Sequence, residues 1–186
     1  MKYLITFIAL CTLTACTSIK FNANFEGQNW DVVLIAPIDG NTHSYVTDQY
    51  IHELATRGPI KFITPRQVMS TIEHLALQEQ YNKDPILAME QVAKHLNANG
   101  FIVSDVFVKE DNVLQESYLS HVSIRTIVYS ANNVNVVSSS FFERQSYIVS
   151  EQPLLGRVTK DTIEELELIF SKLNPNFSLE KNWFGF

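Results

Sequence analysis

The chain has 186 residues, 46% of them hydrophobic and 18% charged, with a formal net charge of −6. That is enough apolar chain for one domain with a buried core, since domains run about 100–150 residues. The acidic balance and the lack of any dense Lys/Arg cluster argue against a nucleic-acid footprint, and two cysteines, Cys11 and Cys16, are too few for a zinc cysteine cage or an iron–sulfur cluster.

The amino terminus is the most specific segment. Lys2 gives a positive start, a short apolar run follows to Leu13, and Leu13-Thr14-Ala15-Cys16 closes it. The run is close to the ~7–15 residues of a signal-peptide core and well below the ~20 of a spanning helix. These residues resemble a bacterial lipoprotein signal with its lipobox. The resemblance implies cleavage before Cys16 and lipidation of its thiol and new amino group. Thr17, rather than an aspartate, then implies sorting to the outer membrane. Residues 1–15 are the expected signal; with Cys11 discarded and Cys16 acylated, the mature chain has no free thiol and no disulfide. No second apolar stretch approaches spanning length, so attachment is expected by lipid alone.

Residues 16–29 read as the lipidated cysteine and a short polar tether, with Asn22, Asn24, Gly27, Gln28 and Asn29. As a flexible coil, about 13 residues span roughly 20 Å. Residues 30–175 form the expected domain. Its first strand is Asp31–Ile38, where Val32-Val33-Leu34-Ile35 suggests burial on both faces. Asp39-Gly40-Asn41-Thr42 is turn chemistry. A helix is predicted over 44–57, stopped by Gly58-Pro59, and a short strand over 60–64. Thr64-Pro65-Arg66-Gln67 predicts a capped helix start with a capping box, whose apolar face Val68, Met69, Ile72 and Leu75 runs on to about Gln80. Asp84-Pro85 repeats the capping logic, and Asn99-Gly100 ends the next helix.

A strand is predicted over Phe101–Val108, then a polar stretch Lys109–Ser120, then the alternating strand His121–Tyr129. Ser130–Asn133 turns the chain into Val134–Phe142. A last helix is expected to open at Thr159, after Pro153 and Gly156, and to end at Asn174-Pro175. The order β-α-β-α-α-β-β-β-α gives the expected class: α/β (α+β), one domain, a mixed sheet of about five strands packed against about four helices.

Motifs for chemistry are sparse. His52-Glu53-Leu54-Ala55-Thr56 begins like a zinc-protease helix, but Thr56 stands where the second histidine is required. No Gly-x-Ser-x-Gly elbow and no glycine-rich phosphate loop occur. Ser138-Ser139-Ser140 reads as a polar sheet face. Glu164, Glu165 and Glu167 read as a solvated helix face, and Asp105 as a strand's solvent side. No catalytic residue, metal or cofactor is expected. Residues 176–186 form an aromatic tail: Phe177, Trp183, Phe184 and Phe186 are candidate partner contacts, or they fold back onto the core.

A further resemblance spans residues 31–142. Val33-Leu34-Ile35-Ala36-Pro37, then a helix, Gly58 and Ile60–Ile63, resembles a periplasmic α/β domain. It is the one shared by TolB amino-terminal domains, curli-secretion-channel lipoproteins and lipoprotein activators of penicillin-binding proteins. Asn41-Thr42 resembles the activators in particular; Ala93–Val103 resembles the group's helix-to-strand step, and Val122–Phe142 its last hairpin. The resemblance implies a mixed sheet with helices against it, no enzyme activity and protein partners in the envelope.

Two features depart from it. Lys109–Ser120 is short and charged for a channel hairpin, and the tether is short for an activator that crosses the cell wall. The expectation is therefore a non-enzymatic outer-membrane lipoprotein that binds, assembles or regulates an envelope machine: secretion, pilus, flagellar or cell-wall apparatus. The alternatives are an activator of a penicillin-binding protein and, from another class, a small periplasmic hydrolase.

Overall fold

In the computed structural model the chain is described over residues 13–38, 41–114 and 117–177. Six strands, β1 (Leu13–Phe21), β2 (Val32–Ile35), β3 (Lys61–Ile63), β4 (Gly100–Leu114), β5 (Ser117–Ser130) and β6 (Val136–Ser146), form one mixed sheet in the order β1-β6-β5-β4-β2-β3. Five helices accompany it: α1 (Asn41–Leu54), α2 (Pro65–His74), α3 (Gln78–Lys83), α4 (Pro85–His95) and α5 (Glu151–Leu173). This is the expected α/β class, with one strand and one helix more than the sequence reading. No described helix is long and apolar enough to cross a membrane.

β2 pairs in parallel with β3 and β4, and β4, β5, β6 and β1 follow antiparallel. Its aliphatic run is divided between two cores. Val33 and Ile35 pack with Val46 and Tyr50 of α1 and with the inner stripe of α5. Leu34 packs with Val68 and Ile72 of α2 and with Met89 and Val92 of α4. β2 stops at Ile35, short of the expected Ile38. Ala36 N–H makes the last bond, to Ile102 O at 2.9 Å, and Pro37 has no N–H to continue it.

The capping signals are realised. Thr64 Oγ1 accepts from Gln67 N at 3.3 Å and Gln67 Oε1 accepts from Thr64 N at 3.1 Å; Asp84 Oδ1 accepts from Leu87 N at 3.1 Å. Thr64→Ala removes the first bond of the box. It is expected to lower the chemical-denaturation stability by about 1 kcal/mol, and an unchanged midpoint would contradict that. α2 ends at His74 rather than near Gln80, because the chain turns through Ala76 at φ 54°.

Three expectations are corrected. The first is the tether. Thr17–Phe21 lies in β1, paired with β6 from Thr17↔Phe142 to Phe21↔Ser138. Asn22 N–H then bonds Val137 O at 2.8 Å, Gly27 N–H bonds Lys172 O at 2.8 Å, and Asn174 Nδ2 donates to Trp30 O at 2.8 Å. Lys172 Nζ lies 4.8 Å above the Phe21 ring. Residues 17–30 are thus a strap bound along β6 and across the end of α5. Its alternation explains this: Thr17 and Ile19 face the α5 side with Leu168, and Phe21 packs against that core, while Ser18 and Lys20 alternate with them.

The second correction is Lys109–Ser120, expected as a polar loop. β4 and β5 stay paired through it, in register from Lys109↔His121 to Leu114↔Ser117, with an irregularity between Asn112 and Leu114. β6 ends at Ser146, opposite Ser120, so the hairpin stands about 13 Å beyond the sheet at ~3.4 Å per residue.

The third correction is α5, which begins at Glu151 rather than Thr159. Pro153 falls in its first turn, where a missing N–H costs nothing.

Candidate interaction surface

Helices α1 and α5 cover one face of the sheet. α2 and α4 cover the other only over β3, β2 and the lower parts of β4 and β5, where Phe101 stacks on Tyr129 at 5.2 Å. The upper part of that second face is bare of any described element. Register and alternation bring onto it Asp105, Phe107 and Lys109 of β4, His121, Ser123 and Arg125 of β5, and Phe141, Glu143 and Gln145 of β6. Phe107 is 47% exposed and meets the His121 ring edge-on at 5.1 Å. His121 Nε2 lies 2.8 Å from Glu143 Oε1 without the alignment of a hydrogen bond. Gln145 Nε2 donates to the same oxygen at 3.0 Å. Asp105, exposed as expected, stands opposite Arg125. An aromatic flanked by both signs of charge on a rigid ladder suits protein contact.

The backbone of Cys16 lies in this same region. It pairs with Glu143, in the row that continues through Ser123 to Phe107. Of the candidate partner contacts in the tail, Phe177 is 3% exposed and packs on Phe170 at 5.8 Å between ring centres. Of the two alternatives for the tail, folding back onto the core is the one found at Phe177, which packs under Gly58. Trp183, Phe184 and Phe186 lie outside the described residues, as do Asp39 and Gly40 of the turn after β2.

Among the concavities of the described residues, two are the larger. A groove of about 390 Å³ separates α1 from α5, and Arg57 lines it, with ion pairs to Glu53 at 3.2 Å and Glu167 at 3.1 Å. Glu167 is 6% exposed, so its assignment to a solvated face is corrected; its partner Arg57 is remote in sequence. A crevice of about 550 Å³ opens at the carboxyl end of β2, lined by Pro37, Met69, Tyr81, Met89 and Asp105. This is the switch point at which α/β sheets bind ligands.

No described hydrogen bond joins Ser123 to His121 on the bare face. Ser138 and Ser140 are buried beneath α5 rather than on a polar face. No three described His, Cys, Asp or Glu side chains are grouped to hold a metal.

Three described side chains titrate above their ordinary ranges, among them the Tyr129 hydroxyl, raised by burial and by Asp105 against the opposing effect of Arg125. Burial raises the Tyr50 hydroxyl, opposed by hydrogen bonds to Ser104, Thr126 and Thr162. Burial also raises the Glu165 carboxyl, opposed by Lys172. A raised carboxyl favours the folded state while protonated, and that contribution is lost as pH rises through the folded value. Glu165→Gln is therefore expected to raise the denaturation midpoint at neutral pH and to leave it unchanged below the carboxylate range. A midpoint that falls at neutral pH would contradict this.

No protein-family model matches the chain, and no curated protein does. Solved structures do. The chain is similar to lipoprotein GNA1162 from Neisseria meningitidis, with 13% identity over 73% of this chain and 96% of that one and a TM-score of 0.52. It is also similar to PelC from Paraburkholderia phytofirmans, solved as a dodecamer, with 15% identity over 87% and 98% of the two chains and a TM-score of 0.46. A third is the C-terminal domain of LpoB from Salmonella enterica, with 14% identity over 67% and 87% and a TM-score of 0.43. At such identities the likeness to the Neisseria lipoprotein is one of fold.

Proposed function

We propose that this chain is an outer-membrane lipoprotein, cleaved before Cys16 and acylated there. Its α/β domain is a non-enzymatic docking module for an envelope machine at that membrane. The observation that carries the reading is the strap: residues 17–30 are bound to the domain, so an anchor at Cys16 joins it with no spacer. The lipobox supports the anchor, and the fold shared with a Neisseria lipoprotein agrees with it. The bare face around Phe107 supports protein contact.

Activation of a cell-wall synthase from across the wall is less well supported, because a strap gives no reach. A hydrolase is less well supported because the described concavities hold ion pairs and apolar side chains rather than a nucleophile beside its base.

The test is to insert about ten flexible residues between Cys16 and Thr17, which adds roughly 17–19 Å, and to crosslink in cells from a photoreactive residue at Phe107. Crosslinks to outer-membrane components are expected to survive the insertion and to be lost with Cys16→Ser. A strong gain in crosslinks to an inner-membrane synthase on lengthening would overturn the reading in favour of the activator.

A further inference from the structure

We propose that the Tyr147–Ile148 turn rests in the phospholipid headgroup layer of the membrane that holds the anchor. The inference depends on the reading of Cys16 as acylated. Ile148 is 78% exposed and Tyr147 55%. Neither belongs to a frayed end: Ser146 Oγ accepts from Ile148 N at 3.1 Å and from Val149 N at 2.9 Å, closing the turn between β6 and α5. Two neighbouring apolar side chains thus project from a hydrogen-bonded turn.

The register says which surface lies nearest to them. Cys16 pairs with Glu143, and Ser146, the residue before the turn, is three positions further along β6, about 10 Å at ~3.4 Å per residue. Because Thr17–Phe21 is bound along β6, acyl chains leaving Cys16 start from this same corner of the sheet. Whatever surface takes the acyl chains is therefore the surface nearest to Tyr147 and Ile148.

The depth of the contact follows from the backbone. Cleavage removes Leu13, Thr14 and Ala15, the partners of Ser146, Gln145 and Arg144. The freed main-chain groups on that stretch of β6 need water or headgroups and are not tolerated in hydrocarbon. A tyrosine ring with a polar tip and an isoleucine beside it suit the interfacial layer. The charges nearby do not favour anionic lipid: Glu143 and Glu151 are acidic, and Arg144 is tied to Asp161, with Nη2 to Oδ2 at 2.6 Å. The contact is apolar, and it should survive added salt.

The mature chain has no other thiol once Cys16 is acylated, so a single fluorophore can report on the corner. Ile148→Cys and, as a control on an exposed helix surface, Lys160→Cys are labelled in the lipidated protein. Each is reconstituted in vesicles of phosphatidylethanolamine with a minor fraction of phosphatidylglycerol. The label at 148 is expected to be quenched several-fold less by aqueous iodide than the label at 160, at low and high salt alike, and to be quenched by nitroxide on the lipid near the headgroups. Equal iodide quenching at both sites, with the acyl mass present on Cys16, would overturn the proposal and leave the anchor standing. Shielding from iodide without quenching by lipid nitroxide would overturn it in favour of a protein cover. A mass with no acyl chain on Cys16 would overturn the anchor and this inference together.

Discussion

Replacing Leu34 by aspartate is expected to leave the protein unfolded. Leu34 is fully buried at the centre of β2, with β3 on one side and β4 on the other, and its side chain meets Val68, Ile72, Met89 and Val92. Losing the leucine alone costs about 2–5 kcal/mol through lost transfer energy and the cavity left behind. The carboxylate adds the cost of a polar group placed among aliphatic side chains with no partner. Against a total stability of about 5–15 kcal/mol for a domain, that sum removes most or all of the folded population. Circular dichroism and denaturant titration of the purified variant check it; a melting curve like that of the wild type would contradict the placement of β2.

Gly100 is the second site of large effect. It opens β4 where Trp30 crosses the sheet. A Cβ there would lie 2.3 Å from Tyr129 O and 2.4 Å from the Trp30 ring. Neither neighbour can retreat easily: Tyr129 O belongs to β5, and Trp30 is 2% exposed with its carbonyl held by Asn174. Gly100→Val is expected to cost about 3 kcal/mol, the upper end for overpacking, and to loosen the strap, because Trp30 is the residue displaced. The checks are the denaturation midpoint together with proteolysis between residues 17 and 30. A variant with the wild-type midpoint would contradict the close packing.

The parts of the fold legible in the sequence are those whose signals are local. The Thr64 and Asp84 caps are decided within four residues, and the β2 run is aliphatic because both its faces are buried. The parts that were not legible depend on distant neighbours or on ladders without a core. Thr17–Phe21 alternates inward and outward over only five residues, and the polar asparagines after it read as coil. What fixes it is β6, more than a hundred residues away. The Lys109–Ser120 hairpin stands beyond the core, where ladder pairing holds it together with polar contacts, Lys109 to Asp111 and Ser120 to Glu110, in place of a buried apolar face. Glu167 is buried because Arg57 reaches it from the end of α1, a contact no helical periodicity announces. The bare face is hidden for a different reason: its members are ordinary strand residues, and only the strand order and the half-coverage by α2 and α4 leave them uncovered. Phe177 shows the converse, since an aromatic cluster at a terminus reads as a partner contact or as core until its neighbours are known.

The central claim is that an acylated Cys16 opens directly into a strand of the domain. Hydrogen–deuterium exchange of the protein extracted from membranes tests it in one peptide, the one that begins at Cys16 and runs through Phe21. Its mass is expected to carry the acyl chains, and its amides to exchange as slowly as those of β6 at Ser138–Phe142. An unmodified or differently cleaved terminus, or exchange at the rate of free coil, would contradict the account.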